Sequence, residues 1–498
     1  MKYLVGENLF SLNSGTEFSQ MQRLKAFKAA GIPAKIVLRN YNRFLGQVLS
    51  DNGLSYDDVI DMYDFFQETT QVPRKKQNLR LIDSIPLSDY HIDGVDNNHS
   101  LLKHSGKTIA DIHVMPMTVG LIGDIQYLDD RGQKALGEYW DWRGFRSMIE
   151  NYHPDGSVGT QRFLRADGTT AVEVTHMYIN KQVLPTMYKL HDYLGRDYVF
   201  DTENQLFTFF LNELNAQEPG TFISDRRSVD EAVLGVVDPE QTIAVIHSLT
   251  FNNFKHPKAG ILPAYQLALN QGPQQFDRVV FATKDQAADV AKVVDDSDNF
   301  TTAADCCTTN VGTTRKLGKE LHLVYRGMLG TNKKIGDLIK AFHHVHQQHP
   351  QATLTLQGYF TSPQDEKEVK QLINRLRLDK AVKLRPYAVD DAIYDDATVF
   401  INASDNEAFG IAMLESMAHG VPVVAYAVPY LADHLVKDGV NGCLVTNKTP
   451  RQLARAINQL ANDDQLYQQL SAGALATANE LDQDHLVASW QPVFSQDN

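Results

Sequence analysis

Strand-like apolar runs alternate with longer amphipathic segments along most of this chain, and this alternation is the feature that most constrains its fold. Near the N-terminus, the runs "KYLVGENLF" (2–10) and "AKIVLRNYN" (34–42) flank a helical pattern that Gly31 ends. From about 306 the alternation resumes with six strand candidates: ELHLVYRG, ATLTLQG, AVKLRPY, ATVFINAS, VPVVAY and GCLV. Strands joined through helices form parallel sheets with helices on their faces. The chain has 498 residues, which is too long for one ordinary core, so we expect two such α/β domains.

A different pattern occupies the residues from about 75 to 185. Short alternating runs such as "IQYLDDRG" (125–132) and "QRFLRADGTT" (161–170) are separated by Asp-Gly turn signals, which are typical of antiparallel hairpins. The α/β pattern then returns in "TIAVIHS" (242–248) and "DRVVFAT" (277–283). We therefore predict an α/β protein with two Rossmann-like domains facing a cleft and an antiparallel β-rich insert in the first.

The predicted boundaries divide the chain into five segments. They are the first part of the N-terminal Rossmann-like domain (1–74), the inserted β-rich module (75–185), the second part of the N-terminal domain (186–305), the C-terminal Rossmann-like domain (306–478) and a C-terminal helix (479–498). Trp490 and Phe494 lead us to expect that this last helix packs back on another domain. Because ligands of open α/β sheets sit at the carboxyl ends of the strands, we look for functional residues there.

Charge and composition exclude several classes of function. Lys and Arg number 47 against 61 Asp and Glu, which leaves a net charge of −14, and general nucleic-acid binding needs a basic surface instead. A local basic patch such as "PRKKQNLR" (73–80) remains compatible with this negative net charge. No apolar run approaches the roughly 20 residues of a membrane span, so we predict no transmembrane segment. The three cysteines do not form a disulfide framework, which fits a reducing cytoplasm.

Two glutamates stand eight residues apart in the segment "SDNEAFGIAMLESMAHGVPVVAY" (404–426). Glu407 follows a predicted strand, and Glu415 lies in a short helix that Gly420 ends. Carboxylates accept hydrogen bonds from vicinal diols, Gly410 lets a backbone come close to a ligand, and the free N–H groups of a helix start suit a phosphate. A sugar nucleotide offers both chemistries. Taken alone, however, two glutamates at this spacing are also compatible with a solvated helix of no function.

The context of this segment resembles a known family. With "DGVNGCLV" (438–445) after it and "NKKIGDLIKAFHHV" (332–345) and "YDDATVFINAS" (394–404) before it, the C-terminal half resembles the retaining family 4 glycosyltransferases of the GT-B fold. The insert, with "DWRGFRS" (141–147) and "DGSVGTQRFLRADGTTAVEV" (155–174), resembles a β-sheet module of two groups of bacterial enzymes. One group glucosylates wall teichoic acid, and the other attaches N-acetylglucosamine to serine-rich adhesins.

This resemblance implies roles for the residues around the two glutamates. Glu407 would contact the donor hexose, and Glu415 would contact the ribose of UDP. The backbone amides near the diphosphate would be those of Ala408, Phe409, Gly410 and Ile411. None of these roles follows from the spacing by itself.

Three further residues match family positions, and one expected residue is missing. Lys333 matches the lysine that neutralises the pyrophosphate of the leaving UDP. Gly15 matches the glycine of the first strand-to-helix loop, and His247 matches a histidine near the sugar. The family arginine five residues before the lysine is Met328 here. Arg326 would point to the same face of a strand as residue 328, so we expect it to serve in its place if the backbone shifts.

The resemblance implies a cytoplasmic retaining glycosyltransferase, either free or peripheral at the inner membrane face. It would move glucose or N-acetylglucosamine from a UDP-sugar to a hydroxyl of a glycerol- or ribitol-phosphate teichoic acid, or to Ser and Thr of surface proteins. No metal and no other cofactor is expected. A homo-oligomer, or a complex with a sibling glycosyltransferase through the insert, is expected. The alternatives are a catalytically weak partner subunit, which Met328 favours, and an isomerase or epimerase, for which no acid/base cluster is evident.

Three other segments raise separate questions. The family's GP(S/T)E segment is "YLADH" (430–434) here, which leaves the contacts made there open. The histidines of "HHVHQQH" (343–349) fall mainly on the wet side of a predicted helix, so we expect no metal. Tyr139, Trp140 and Trp142 form either a hairpin core or an aromatic platform for an acceptor or a partner.

Overall fold

The computed structural model describes residues 1–79, 82, 85–251, 260–269, 275–308, 311–318, 320–388, 390–407 and 409–495. The described strands are β1 Lys2–Gly6, β2 Ala34–Leu38, β3 Val59–Asp61, β4 His91–Gly94, β5 His99–His104, β6 Lys107–Val114, β7 Ile122–Leu128, β8 Lys134–Trp140, β9 Arg146–Tyr152, β10 Val158–Leu164, β11 Thr170–Ile179, β12 Gln182–Tyr193, β13 Arg196–Phe200, β14 Thr221–Ser224, β15 Gln241–Ile246, β16 Arg278–Phe281, β17 Phe300–Thr302, β18 His322–Arg326, β19 Thr353–Gly358, β20 Val382–Pro386, β21 Val399–Asn402, β22 Val423–Tyr426 and β23 Gly442–Val445.

The described helices are α1 Gly15–Ala29, α2 Leu45–Asp51, α3 Met62–Phe66, α4 Glu203–Gln217, α5 Asp230–Leu234, α6 Gln266–Leu269, α7 Lys284–Ala291, α8 Ile335–Gln348, α9 Pro363–Arg375, α10 Ile411–Ala418, α11 Leu431–His434, α12 Pro450–Ala461, α13 Asp464–Glu480 and α14 Gln483–Phe494. Two compact units contain these elements. The first comprises Met1–Asn13 and Pro33–Thr242, and the second comprises Ser14–Ile32 and Ile243–Asn498. Within the described residues, no helix is long and apolar enough to cross a membrane.

The first unit contains a parallel sheet with the strand order β14–β1–β2–β3. Its central strands are apolar on both faces, as Leu4 and Val5 in β1 and Ile36 and Val37 in β2 illustrate, and all four side chains are buried. Burial on both faces is what distinguishes a parallel sheet covered by helices from a half-exposed antiparallel one. The predicted α/β opening of the chain is therefore confirmed.

The same unit contains a ten-stranded antiparallel sheet in which strands β4 to β13 follow one another in chain order. Two of its hairpins turn at Asp-Gly pairs, where Gly156 and Gly168 have φ angles of 82° and 89° that favour glycine. The predicted β-rich insert is confirmed. The strands run from His91 to Phe200, whereas the turn signals predicted a module over 75–185.

The aromatic hairpin of the insert packs into the first unit. Trp140 is buried in the apolar cluster of the insert, and the ring of Trp142 lies 3.5 Å from the Arg74 guanidinium carbon. Tyr139 donates a hydrogen bond to Glu150 at 2.8 Å. Of the two interpretations of these aromatic residues, the structure therefore favours the packed hairpin core.

A buried arginine joins the insert to the α/β part of the unit. The guanidinium of Arg143 donates to Asp64 at 2.6 Å, to Asp141 at 2.7 Å and to the Thr69 carbonyl at 2.7 Å. The Arg143 side chain is only 3% exposed. Burial raises the pKa of Asp141 to about 6, and the hydrogen bond from Arg143 opposes this rise. Removing the cation would leave two buried carboxylates uncompensated.

We expect Arg143→Ala to lower the free energy of unfolding by about 3–5 kcal/mol, the usual cost of breaking a buried ion pair. Denaturant titration monitored by tryptophan fluorescence measures this loss. Lys189→Ala is the matched control, because it breaks an exposed pair with Asp197 in the same sheet and should cost at most about 1 kcal/mol. Equal losses in the two variants would contradict the structural role of Arg143.

The second unit contains two parallel arrays of strands. One is β15–β16–β17, and the other is a six-stranded sheet with the order β20–β19–β18–β21–β22–β23. All six strand candidates of the C-terminal half lie in this second sheet, as predicted. Numbered along the chain, its order is 3-2-1-4-5-6, the Rossmann arrangement in which ligands bind where the order reverses.

Local signals also account for the ends of the chain's last helices. Thr449 caps α12 by accepting a hydrogen bond from the amide of Gln452, and Pro450 occupies the first helical position. At the C-terminus, the Trp490 ring meets the Phe27 ring of α1 edge-on at 5.7 Å, and Phe494 joins them. The last helix therefore packs back on α1, as its aromatic residues predicted, but α1 belongs to the same compact unit rather than to another one.

Candidate active site

The order of the six-stranded sheet reverses between β18 and β21, which pair in parallel. β18 ends at Arg326 and β21 ends at Asn402. Because the two strands are parallel, the segments that follow them leave the sheet on the same side, at the carboxyl ends of the strands. The loop after β21 carries Glu407, and α10 after that loop carries Glu415. The two predicted glutamates thus lie beyond the carboxyl ends of strands at a topological switch point, where an α/β sheet presents its ligand site.

Glu407 is held by an ion pair with Lys333. The Lys333 ammonium lies 2.7 Å from Oε1 of Glu407, and the side-chain amide of Asn402 donates to the same oxygen at 3.2 Å. Lys333 ends the short 3₁₀ turn Thr331–Lys333 just before α8. Both charged side chains keep partial contact with solvent. The pair therefore places one cation and one carboxylate where a ligand can reach both.

Glu415 is held by a second ion pair. Nη1 of Arg326 lies 3.2 Å from Oε2 of Glu415 and 2.7 Å from Asp391, and Nη2 donates to the Ala388 carbonyl at 2.9 Å. The hydroxyl of Tyr394 also lies 3.0 Å from Oε2 of Glu415. Burial raises the pKa of Glu415, and the positive charge of Arg326 opposes that rise. This network fixes the direction of the Glu415 carboxylate.

Each of the two glutamates therefore has its own cation, a pairing that sequence spacing did not reveal. The Arg326 side chain is 8% exposed and contacts Glu415 and Asp391. Met328 lies two residues farther on, and its carbonyl accepts a hydrogen bond from Tyr325 at 3.0 Å. Arg326, the last residue of β18, thus contacts Glu415, one of the two predicted site glutamates.

The starts of two helices meet beside these ion pairs. Gly410 precedes α10 with φ 92°, a left-handed conformation that favours glycine over residues with a side chain. Gly15 is the first residue of α1, and a Cβ atom there would lie 3.5 Å from Cδ1 of Ile411. Phe409 is buried under the loop. The predicted residue Ala408 lies outside the described residues. The two helix starts present backbone N–H groups of the kind that bind phosphate.

His247 follows β15 and pairs with a residue that sequence reasoning missed. Its Nδ1 lies 2.7 Å from Oδ1 of Asp305, and the Ser19 hydroxyl donates to the same carboxylate oxygen at 2.7 Å. Burial of Asp305 would by itself raise its pKa, but His247, the charge of Arg23 and the hydrogen bond from Ser19 together lower it. The available signal was a lone acidic residue after a strand, in the apolar stretch "AADCC" (303–307).

His434 is a second residue that the sequence did not single out. It belongs to the "YLADH" segment, and its ring packs edge-on against Phe409 with centroids 4.4 Å apart. Its Nε2 is buried and has no hydrogen-bond partner among the described residues. Burial lowers the pKa of His434 to about 4, so the imidazole is neutral at pH 7. The segment that departs from the family pattern thus places a neutral polar ring beside the glutamate loop.

The histidines of residues 343–349 lie on α8 and just beyond it. Leu338, Phe342 and Val345 form the buried stripe of this helix, as predicted. Among the residues that the structure describes, no group of three or more His, Cys, Asp or Glu side chains is arranged to hold a metal ion.

Comparison with known proteins identifies the C-terminal part. The model of the family "Glycosyl transferases group 1" matches residues 310–476. The poly(glycerol-phosphate) alpha-glucosyltransferase of Bacillus subtilis is 23% identical over 412 residues, which are 80% of this chain and 59% of that enzyme. The GtfA subunit of the UDP-N-acetylglucosamine–peptide N-acetylglucosaminyltransferase of Streptococcus agalactiae is 21% identical over 90% of this chain and 88% of its own.

A solved structure extends this likeness over the whole fold. The pneumococcal O-GlcNAc transferase GtfA, crystallised with UDP and GlcNAc, superposes with a TM-score of 0.84. The match is 18% identical in sequence and covers 99% of this chain and 98% of that one. Residues 310–476, which carry both ion pairs, form a group 1 glycosyltransferase domain, and the chain as a whole has the GT-B fold with an antiparallel β-rich insert.

Proposed function

We propose that this chain is a retaining glycosyltransferase that moves glucose or N-acetylglucosamine from a UDP-sugar to a hydroxyl of a glycerol- or ribitol-phosphate teichoic acid. The observation that carries the proposal is the pair of ion pairs, Lys333 with Glu407 and Arg326 with Glu415, beyond the strand ends of the group 1 domain. Two relatives support both the reaction class and the two kinds of acceptor. One is named for poly(glycerol phosphate), and the other is named for a peptide.

The two carboxylates suit the two sugar rings of the donor. Glu415, fixed by Arg326 and Tyr394, accepts the hydroxyls of the ribose. Glu407, held by Lys333 and Asn402, accepts hydroxyls of the hexose. Hydrogen bonds to an ionised carboxylate are each worth about 1.5–3 kcal/mol. The donor is thereby bound through its ribose and through its hexose, with the diphosphate between the two sugars.

The charge of the leaving diphosphate is matched by Lys333 and by the N-termini of α1 and α10. Such preorganised donors stabilise charge that develops in the transition state without reorganisation. We therefore propose that no metal ion takes part. A chelator such as EDTA should leave turnover unchanged, and restoration of lost activity by added Mg²⁺ would contradict this part of the proposal.

Retention follows from attack on the same face of the hexose. The acceptor hydroxyl approaches the anomeric carbon from the side on which UDP leaves, and the departing phosphate oxygen takes the hydroxyl proton. The C–O bond to UDP breaks as the new glycosidic C–O bond forms, so atoms and charge balance without a protein nucleophile. His247 lies at a strand end in the same unit and is assigned to the hexose.

A UDP-release assay tests the proposal. The purified chain should release UDP from UDP-glucose or UDP-N-acetylglucosamine, and release should rise on addition of poly(glycerol phosphate) or poly(ribitol phosphate). A serine-rich peptide is the parallel acceptor, and stimulation by it alone would move the assignment to protein O-glycosylation. No release with any donor and acceptor would contradict the enzymatic proposal.

The second candidate is a catalytically weak subunit that stabilises an active sibling. Met328 favours it, and so does the engagement of Arg326 by Glu415 and Asp391. The relative from Streptococcus agalactiae is itself named as a subunit. Such a chain would bind UDP without releasing it from UDP-sugars, and a supplied sibling would restore turnover.

We further propose that the insert mediates association, with itself or with a sibling chain. The tip of the β11–β12 hairpin exposes an apolar group: Met177 57%, Tyr178 66%, Ile179 41% and Leu184 42%. Met177 and Leu184 are direct cross-strand partners, and Ile179 lies on the same face two residues farther along, whereas Tyr178 points to the opposite face. Met177, Ile179 and Leu184 therefore form a continuous exposed apolar patch, and such patches mark interfaces. This patch replaces the packed Trp140 hairpin as the predicted contact.

The double variant Met177→Asp, Ile179→Asp should sediment as a smaller species than the wild type, because two charges cannot be buried in an apolar interface without a large cost. Val119→Asp is the matched control, since Val119 lies in a turn of the same unit and is 98% exposed. A wild type that is monomeric over the whole concentration range would refute self-association through this patch.

The proposed reaction draws on UDP-sugars, which places the enzyme in the cytoplasm in our proposal. A peripheral position at the inner membrane face is the accompanying expectation. Flotation with anionic lipid vesicles, with and without acceptor polymer, distinguishes a free enzyme from a peripheral one.

A further inference from the structure

Asp305 occupies a position that the donor contacts do not explain. Its carboxylate is buried and meets two side chains, accepting a hydrogen bond from Ser19 of α1 and pairing with Nδ1 of His247, each at 2.7 Å. A buried carboxylate is costly unless it is paired and hydrogen-bonded. Here both partners are supplied, and one of them is the histidine assigned to the hexose.

The backbone beside Asp305 is held by the C-terminal helix. The amide of Ala304 donates to the hydroxyl of Ser489 at 2.9 Å, and the indole N–H of Trp490 donates to the Ala304 carbonyl at 3.0 Å. Trp490 is itself fully buried and packs against Phe27. Both backbone polar groups of Ala304, the residue before Asp305, are therefore held by one element, α14, which restrains the backbone that carries the carboxylate.

We propose that Asp305 is a positioning residue of the glycosyl transfer, which fixes the ring orientation and the Nδ1–H of His247 and is itself held in place by α14. The inference rests on the proposed function, because it assigns His247 to the transferred hexose. With Nδ1 bound to a carboxylate, the imidazole keeps one tautomer when neutral and its positive charge is stabilised when it is protonated. No bond to His247 or Asp305 forms or breaks in this role.

Other charged groups act on the same carboxylate. Arg23 of α1 lowers the pKa of Asp305 together with His247, while His434 faces Asp305 from α11 and stays neutral because burial lowers its pKa. Asp305 is therefore ionised at neutral pH. A neutral asparagine at this position would keep the shape of the side chain and lose the charge, so Asp305→Asn isolates the electrostatic part of the role.

The test compares Asp305→Asn with Ser19→Ala in the UDP-release assay. Asp305→Asn should lower kcat by at least about 10²-fold, as replacing the carboxylate partner of a working histidine does elsewhere, shift the pH profile of kcat, and leave the Kd for UDP within about twofold. Ser19→Ala removes the other hydrogen bond to Asp305 but keeps the charge of the carboxylate and its contact with His247, so its loss of kcat should be clearly smaller than that of Asp305→Asn. Trp490→Phe keeps the ring but loses the hydrogen bond to Ala304, and a partial loss of kcat is expected.

Two further measurements keep the inference open to refutation. In a His247→Ala background, Asp305→Asn should cause no additional loss of kcat, because the two residues act as one unit. In ¹H–¹⁵N spectra, the Nδ1–H signal of His247 should be present in the wild type and absent or strongly shifted in Asp305→Asn. Additive losses, or an unchanged signal, would overturn the positioning role. A wild type that releases no UDP overturns the proposed function, whereas an active wild type matched by Asp305→Asn overturns this inference alone.

Discussion

Lys333→Ala is expected to lower kcat/KM for the UDP-sugar by about 10²- to 10³-fold, the loss that follows removal of one preorganised group that stabilises developing charge. The ammonium of Lys333 lies 2.7 Å from Glu407, so the variant also frees the carboxylate that we assign to the hexose. Glu407→Gln should likewise abolish measurable transfer, because an amide accepts hydroxyl hydrogen bonds more weakly than a carboxylate. Both variants should melt like the wild type, since both side chains contact solvent.

The neighbouring lysine provides the matched control for this prediction. Lys334 has the same charge and pairs with the exposed Asp405 at 2.5 Å, in the same loop as Glu407. Lys334→Ala should change kcat/KM by less than about threefold, because exposed pairs contribute about 0–1 kcal/mol. Steady-state kinetics on the two variants decides the matter. A larger loss in Lys334→Ala than in Lys333→Ala would mean that the wrong lysine has been assigned to the diphosphate.

Arg326→Ala is expected to have the second largest effect and to act on both donor binding and stability. Its guanidinium is the cation of Glu415 and contacts Asp391 as well, so its loss leaves two carboxylates to repel each other. We expect donor affinity to fall by about 10²-fold. We also expect the free energy of unfolding to fall by about 1–3 kcal/mol, because a partly buried charged group loses its partner.

Comparison with Met328→Arg separates two roles for Arg326. If Arg326 acts only by orienting Glu415, Arg326→Ala weakens binding of uridine and UDP equally, since both carry the ribose. If Arg326 also contacts the diphosphate, Arg326→Ala weakens the binding of UDP more than the binding of uridine. Adding Met328→Arg to the Arg326→Ala variant then restores part of the lost affinity for UDP. Calorimetry with the two ligands measures both outcomes. An Arg326→Ala variant with wild-type affinity for both ligands would remove Arg326 from the site.

The sheet elements were predictable because their signal is local. Each of the six C-terminal strands is a short apolar run that needs burial on both faces, and α12 carries its own cap in Thr449 and Pro450. Two Asp-Gly turns predicted hairpins of the insert for the same reason. Gly156 and Gly168 supply the positive φ angles that such turns require. Such patterns act over a few positions and do not depend on the rest of the fold.

The partners within the site were not predictable in this way. Arg326 and Glu415 lie 89 positions apart, and His247 and Asp305 lie 58 apart, so only the order of strands in the sheet brings them together. The spacing of apolar residues along the sequence indicates which face of a helix or strand is buried. It does not indicate which charged side chains contact each other in the fold. The sequence left Trp140 open between a hairpin core and an aromatic platform for a related reason, because its burial depends on packing within the unit.

Calorimetric titration of UDP into the wild type and the double variant Lys333→Ala, Arg326→Ala tests the central claim most directly. The account predicts that UDP binds the wild type and Lys334→Ala with similar affinity, and that the double variant loses at least about 10²-fold while remaining folded by circular dichroism. Binding of UDP to the folded double variant with the wild-type Kd, or no binding to the wild type up to about 1 mM, a free energy of about −4 kcal/mol, would contradict the assignment of these ion pairs to a UDP-sugar.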